Sequence, residues 1–284
     1  MTIKKSLQTT LAMLVLGLMT FQSFAQKITM PAPSPLQTLN QKFGLGEVTV
    51  EYSRPAAKGR TIFGDVVSFG NVWRTGANGA TKITFTDDVK IEGKDVKAGT
   101  YAIYSVPNKK SWDIMLYSDL KLGGNVADYK AENEVLRVTV KAMKAATKVE
   151  SFTINIDNVL STSSDLVFSW ANTAVVVKMT TDIDARVMES IEASMKSEKP
   201  EYFKAATYYF ENGKDLKKAL TWVTKATEEN ASAYWVMLLK ARIEYALNDK
   251  VAGKASADKT IELATADQNA DYVAMATKLI AANK

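Results

Sequence analysis

The sequence predicts an antiparallel β domain of sandwich or jelly-roll type over residues 26–180, followed by an all-α domain of helical hairpins over residues 181–284. Three observations lead there. Residues 27–180 hold eleven of the 14 glycines and five of the 6 prolines, whereas residues 181–284 hold only Gly213, Gly253 and Pro200. The apolar period changes near Thr180, from two to roughly three and a half. No helical pattern separates the strand patterns of the first part, which excludes the crossovers that a parallel sheet needs.

The strands follow from alternation, the mark of a sheet with one buried face. Val48, Val50 and Tyr52 point one way, and Glu47, Thr49 and Glu51 point the other. Further strands are expected at Lys82–Thr86, Val89–Glu92, Thr100–Val106, Trp112–Tyr117, Val135–Val140, Ser151–Ile156, Leu166–Trp170 and Ala174–Thr180. Turn chemistry punctuates them at Glu92-Gly93-Lys94-Asp95, Pro107-Asn108-Lys109-Lys110 and Gly123-Gly124-Asn125.

The second part reads with helical spacing. Val187, Met188, Ile191 and Met195 form one stripe, and a last helix is expected from about Asp267 to Ala282. Ala206, Tyr209, Gly213, Ala219 and Ala226 are echoed by Ala241, Tyr245, Asp249, Ala255 and Ala264, at offsets of 35, 36, 36, 36 and 38. Small residues at such spacing let paired helices approach closely. The echo resembles a tetratricopeptide repeat, whose period is 34, with Asp249 where the turn glycine belongs. A plain helical bundle is the alternative. The aromatic residues Tyr208, Tyr209, Phe210, Trp222, Tyr234 and Trp235 fall at helical spacing and are read as packing between helices.

Residues 1–25 carry the pattern of a cleaved secretory leader: Lys4 and Lys5, an apolar run from Leu11 to Met19, then Ser23-Phe24-Ala25. Nine apolar residues span about 14 Å as a helix, against a hydrocarbon core of roughly 30 Å. Cleavage is therefore expected near Gln26, with no later membrane span and a periplasmic, envelope-associated or secreted destination. The formal charge of +5 falls to +3 on loss of Lys4 and Lys5, and no basic block remains. Nucleic acid is thus not an expected partner.

The chain has no histidine and no cysteine. That excludes Ser-His-Asp and Cys-His nucleophiles, His or Cys zinc sites, iron–sulfur clusters and disulfides. Carboxylates, lysine, tyrosine, hydroxyls and arginine remain. Asp87-Asp88 and Asp182 with Asp184 lack the ligand spacing of a calcium loop and read as turn and cap residues. No cofactor and no metal are expected.

One segment stands out: Tyr52-Ser53-Arg54-Pro55-Ala56-Ala57-Lys58-Gly59-Arg60-Thr61-Ile62-Phe63-Gly64, then Phe69-Gly70-Asn71-Val72-Trp73-Arg74-Thr75-Gly76-Ala77-Asn78-Gly79-Ala80-Thr81. With Ala98-Gly99-Thr100-Tyr101 and Trp112, it is similar to a family of exported bacterial proteins known as domain of unknown function 2911, over roughly residues 30–180. The resemblance implies export and brings no reaction with it. Gly79 stands where that family usually carries an acid, and Leu122-Gly123-Gly124 where a tryptophan-glycine pair is expected.

The same segment places Arg54, Arg60 and Arg74 beside Trp73, Asn78 and Thr81. Guanidinium forks suit carboxylate or phosphate, and an indole face suits stacking on a sugar. These six residues are the candidate pocket for an anionic or sugar-like ligand. The competing reading is structural, with the arginines bonded to loop carbonyls or paired with Asp65, Asp87 or Asp113. The function expected is a non-catalytic binding or interaction protein of the cell envelope, with the helical domain offering a groove to a protein or peptide. The alternatives are a carboxylate-dependent hydrolase of glycans or esters, and a purely structural envelope component.

Overall fold

The computed structural model describes residues 29–284. The expected leader, residues 1–25, lies outside the described residues. The chain divides into two compact units, one ending at Thr181 and the other beginning at Asp182.

The first unit is a nine-stranded antiparallel sheet in the order β1-β2-β3-β6-β7-β8-β9-β4-β5. Its strands are β1 (Leu36–Phe43), β2 (Gly46–Ser53), β3 (Thr81–Phe85), β4 (Val89–Ile91), β5 (Lys94–Val96), β6 (Gly99–Pro107), β7 (Ser111–Tyr117), β8 (Glu134–Asp157) and β9 (Ser163–Thr180). Val48, Val50 and Tyr52 of β2 are buried, as their alternation requires.

Two strands were not anticipated. β1 carries apolar residues only at Leu36, Leu39 and Phe43, so it shows no period of two, and as an edge strand it buries little. β5 lies inside the expected turn. Glu92 and Gly93, both with positive φ (48° and 79°), reverse the chain in two residues and leave Lys94–Val96 free to pair with β4. Conversely, the expected strands Val135–Val140 and Ser151–Ile156 are one strand, β8, and Leu166–Trp170 and Ala174–Thr180 are one strand, β9. Irregular register between Lys144 and Thr153 carries β8 through, and Ala171 in the left-handed region (φ 50°) carries β9 through.

β8 is the hinge of the sheet. Glu134–Lys141 pairs with β7, and Ala142–Asp157 pairs with β9. The two parts share one core, in which Val50, Ile83, Ile103 and Ile114 meet Phe152, Ile154, Phe168 and Val177. The corner is closed by the chain just after β2. Phe152 N–H donates to Pro55 O (2.9 Å), and Ala57 N–H donates to Glu150 O (2.7 Å). A smaller cluster of Ala102, Tyr104, Met115 and Tyr117 lies apart from that core, packed against Leu122, Val126 and Tyr129 of the β7–β8 connection. Burial pushes the Tyr104 hydroxyl up to about 12, so it stays protonated and donates to Gly123 O (2.7 Å).

The second unit has six helices: α1 (Asp184–Met195), α2 (Tyr202–Glu211), α3 (Leu216–Glu229), α4 (Tyr234–Ala246), α5 (Lys250–Ala266) and α6 (Ala270–Ala282). Its core joins Ala206, Tyr209, Ala219, Trp222 and Val223 to Val236, Leu239 and Ile243. The internal echo needs correction at one point. Ala255, aligned with buried Ala219, is exposed. For the second helix of each hairpin an offset of 34 matches the structure better. It pairs Asp215 with Asp249, each the N-cap of its helix, and buried Ala219 and Ala226 with buried Gly253 and Thr260. Asp249 is therefore a cap and not a stand-in for a turn glycine. Gly253 is needed where it stands, because a Cβ there would lie 2.8 Å from the ring of Tyr245.

Candidate functional site

The connection from Arg54 to Ala80, between β2 and β3, forms almost no regular structure yet is tightly held. Its start is bonded to β8 as described. Its middle is bonded to β6 through Trp73 N to Ser105 O (2.7 Å), Ser105 N to Trp73 O (2.9 Å), and Gly70 N to Pro107 O (2.9 Å). Buried Thr75 shares a hydrogen bond with Ser105 (2.9 Å), and its carbonyl accepts from the Thr81 hydroxyl (2.5 Å). Lys58, Thr75 and Asn78 all lie in the left-handed region, at φ of 49°, 55° and 61°. Non-glycine residues adopt that region only when their surroundings enforce it, and such strain gathers at binding sites.

The fold treats the six sequence candidates differently. Arg60, Trp73 and Arg74 line one cavity of about 520 Å³. Arg54 does not. Its Nε donates to Phe152 O (3.1 Å), Nη1 to Gln37 Oε1 (2.8 Å) and Nη2 to Thr153 Oγ1 (2.8 Å), so the whole guanidinium staples β2 to β8. Asn78 donates to Ser34 O (3.3 Å) and Ser53 Oγ (3.2 Å) and lines a separate hollow of about 430 Å³. Thr81 is buried in its bond to Thr75. For these three the structural reading describes the bonds that the fold makes. Asp113, suggested as an arginine partner, pairs with Arg137 instead (2.9 Å).

Among the other lining residues, Lys58 and Trp170 carry the chemistry that the sequence reading missed. Lys58 lies within the arginine-rich segment, and its lysine-glycine pair is the local signal. Trp170 lies at the far end of the β domain, and only the fold brings it in. Its indole stacks on that of Trp73, with centroids 5.9 Å and planes 18° apart. Phe63, Trp112 and Phe152 meet Trp73 edge-on, at 6.2, 5.9 and 5.1 Å. Both cavity indoles have their N–H engaged, Trp73 with Gly76 O (3.1 Å) and Trp170 with Glu150 O (3.2 Å).

The charged side chains lining the cavity are cationic, and the Glu150 carboxylate stands at its edge, Oε1 accepting from Lys58 N (2.6 Å). Lys58, Arg60 and Arg74 line the cavity, and no carboxylate does. Among the described residues none of the three forms an ion pair. Arg60 is held by Nε to Ala57 O (3.0 Å) and Nη2 to Ala56 O (2.8 Å), which leaves Nη1 without a protein partner. Arg74 makes one long contact, Nη1 to Gly124 O (3.5 Å), and its buried Nε has no partner. Gly124 can approach because it lacks a side chain: a Cβ there would stand 2.2 Å from Asn78 O.

The acidic pairs noted in the sequence are engaged locally. Asp88 accepts from Lys97 Nζ (2.7 Å) and Ala98 N (2.9 Å), and these bonds hold its carboxyl below the usual range. Asp184 accepts from Lys214 Nζ and Tyr208 OH (both 2.8 Å). Among the described residues no group of three acids could hold a metal ion. A third hollow of about 310 Å³ lies in the helical unit, lined by Phe203 and Glu211 of α2, Trp235 and Arg242 of α4, and Tyr272 and Met275 of α6.

Fold and cavity together define a class of protein: a folded-over antiparallel sheet with a cation-rimmed, indole-walled hollow, followed in the chain by a unit of helical hairpins. The sequence matches the family described as Protein of unknown function (DUF2911) over residues 34–179, about half the chain, and the protein belongs to that family. No curated protein and no solved structure matches it.

Proposed function

We propose that this is an exported, non-catalytic binding protein of the cell envelope whose β unit captures a small anionic ligand. The observation that carries the reading is the cavity's unbalanced charge: three cations without ion-pair partners face a space that no carboxylate lines. Glu150, whose carboxylate accepts from Lys58 N, offsets part of this charge, an anion beside Arg60 and Arg74 would offset the rest, and the enforced backbone at Lys58 and Thr75 fits a preorganised site. The hydrolase reading needs two acids across a cleft. None of the three hollows described above is lined by two acids, so the geometry favours the binder.

The test contrasts two arginines. Arg74→Ala is expected to weaken anion binding about 10-fold or more, by loss of a charge-assisted contact, with little change in melting temperature. Arg54→Ala is expected to do the reverse, costing roughly 2 kcal/mol of stability while the folded protein binds as before. Calorimetric titration of each variant against a panel of carboxylates and phosphates reads both effects. Equal affinity in the Arg74 variant and the wild type would remove the site.

Export rests on the leader pattern of residues 1–25. Protein recovered from the periplasm is expected to begin near Gln26, and mass spectrometry finding Met1 intact would contradict cleavage. For the helical unit we propose tetratricopeptide-like hairpins that offer a surface to a protein or peptide. The offset of 34 between α3 and α5 and the hollow lined by alternate helices α2, α4 and α6 support that reading.

A further inference from the structure

We propose that the ligand of the cationic cavity is an amphipathic anion, an apolar body ending in one carboxylate or phosphate, and not a sugar acid. The inference rests on the anion-binding reading above and narrows it by chemical class. It comes from what the cavity wall lacks.

A sugar presents hydroxyls on several sides, and each needs a partner when buried. Sites that hold sugars supply groups able to accept as well as donate. In this wall the charged side chains are lysine and arginine, which only donate. Ser34 supplies the only neutral polar side chain among the lining residues. Three of the backbone carbonyls here already accept one bond each: Ala56 O from Arg60, Gly76 O from Trp73, and Pro55 O from the backbone of Phe152. The several hydroxyls of a sugar would lose water here and find few side-chain acceptors. Carboxylate and phosphate oxygens need only donors, and donors are what the site offers.

The rest of the wall is apolar. Pro33, Pro55, Ala56, Val66, Val67 and Ala77 line it beside the two indoles, whose N–H groups point into bonds with the protein. Val66 is 42% exposed, an apolar side chain on the cavity wall that an alkyl or aromatic body would cover. The volume of about 520 Å³ lies within the usual range for a small-molecule site, roughly 300–1,000 Å³. An anion at the cations with an apolar body along Val66 and Trp73 is the pose that matches the chemistry of this wall.

The experiment titrates the full protein with octanoate, octyl phosphate, octanol, glucuronate and inorganic phosphate, followed by calorimetry and tryptophan fluorescence. Octanoate and octyl phosphate are expected to bind at least about 10-fold tighter than glucuronate, inorganic phosphate or octanol. Val66→Ser, which removes apolar surface without adding charge, is expected to weaken octanoate about 3-fold or more while changing inorganic phosphate far less, and Arg74→Ala to weaken both. Glucuronate or inorganic phosphate binding as tightly as octanoate would overturn the inference and leave the anion site standing. Octanol binding as tightly as octanoate, or octanoate indifferent to Val66→Ser, would also overturn it. If none of the four anions binds, both readings fall.

Discussion

Trp170→Ala is expected to lower the free energy of unfolding by about 3–5 kcal/mol, the range for removing a large aromatic side chain from a packed interior. Trp170 is only 2% exposed. It stacks on Trp73 and meets Phe63 and Phe152 edge-on, at 6.2 and 5.8 Å. Its N–H donates to Glu150 O, which also accepts from Ala57 N. The substitution leaves a void between β9 and the connection that carries Lys58 and Arg60. Trp170→Phe keeps a ring and should lose much less. Urea unfolding of the two variants gives the comparison, and a loss below about 1 kcal/mol for the alanine would show that the ring cluster does not hold the domain.

Tyr52→Phe removes one oxygen and should still cost about 2–4 kcal/mol. The hydroxyl of Tyr52 donates to Ile154 O (3.1 Å) and accepts from Ile154 N (2.9 Å). A side chain on β2 thus satisfies both backbone groups of one residue on β8, 102 positions away. Burial raises the pKa of this hydroxyl above the ordinary tyrosine value, so it keeps its proton and its donor role. Phenylalanine strands an N–H and a C=O in a site too dry for water, at about 1–3 kcal/mol for each group. Thermal unfolding should show it, and hydrogen exchange should show Ile154 N–H losing protection first. An unchanged melting temperature would mean that water reaches the corner.

The parts of the fold legible in the sequence were those written in local contrast. Val48, Val50 and Tyr52 alternate with polar neighbours, so β2 was plain. Lys141–Glu150 was not, because KAMKAATKVE is rich in alanine and lysine and lacks alternation, although it continues β8 as an irregular strand. Pairing with β9 overrides its weak propensity. The site divides in the same way. Arg60, Trp73 and Arg74 converge because glycines and enforced turns fold one short stretch back on itself. Arg54 looked equivalent in sequence, and only its neighbours across 98 residues make it a staple. Trp170 was invisible for the converse reason: nothing local marks a core tryptophan as half of a cavity wall.

That last feature bears on how the protein matures. Pro33 and Trp170 border the same hollow although 137 positions separate them in the chain. Contacts across so long a span form late, since the intervening loop must close before they reward it. A nascent polypeptide halted short of Trp170 already carries Lys58, Arg60 and Arg74 but has no enclosure to gather them around. The hollow is therefore complete only once the whole β unit has been threaded.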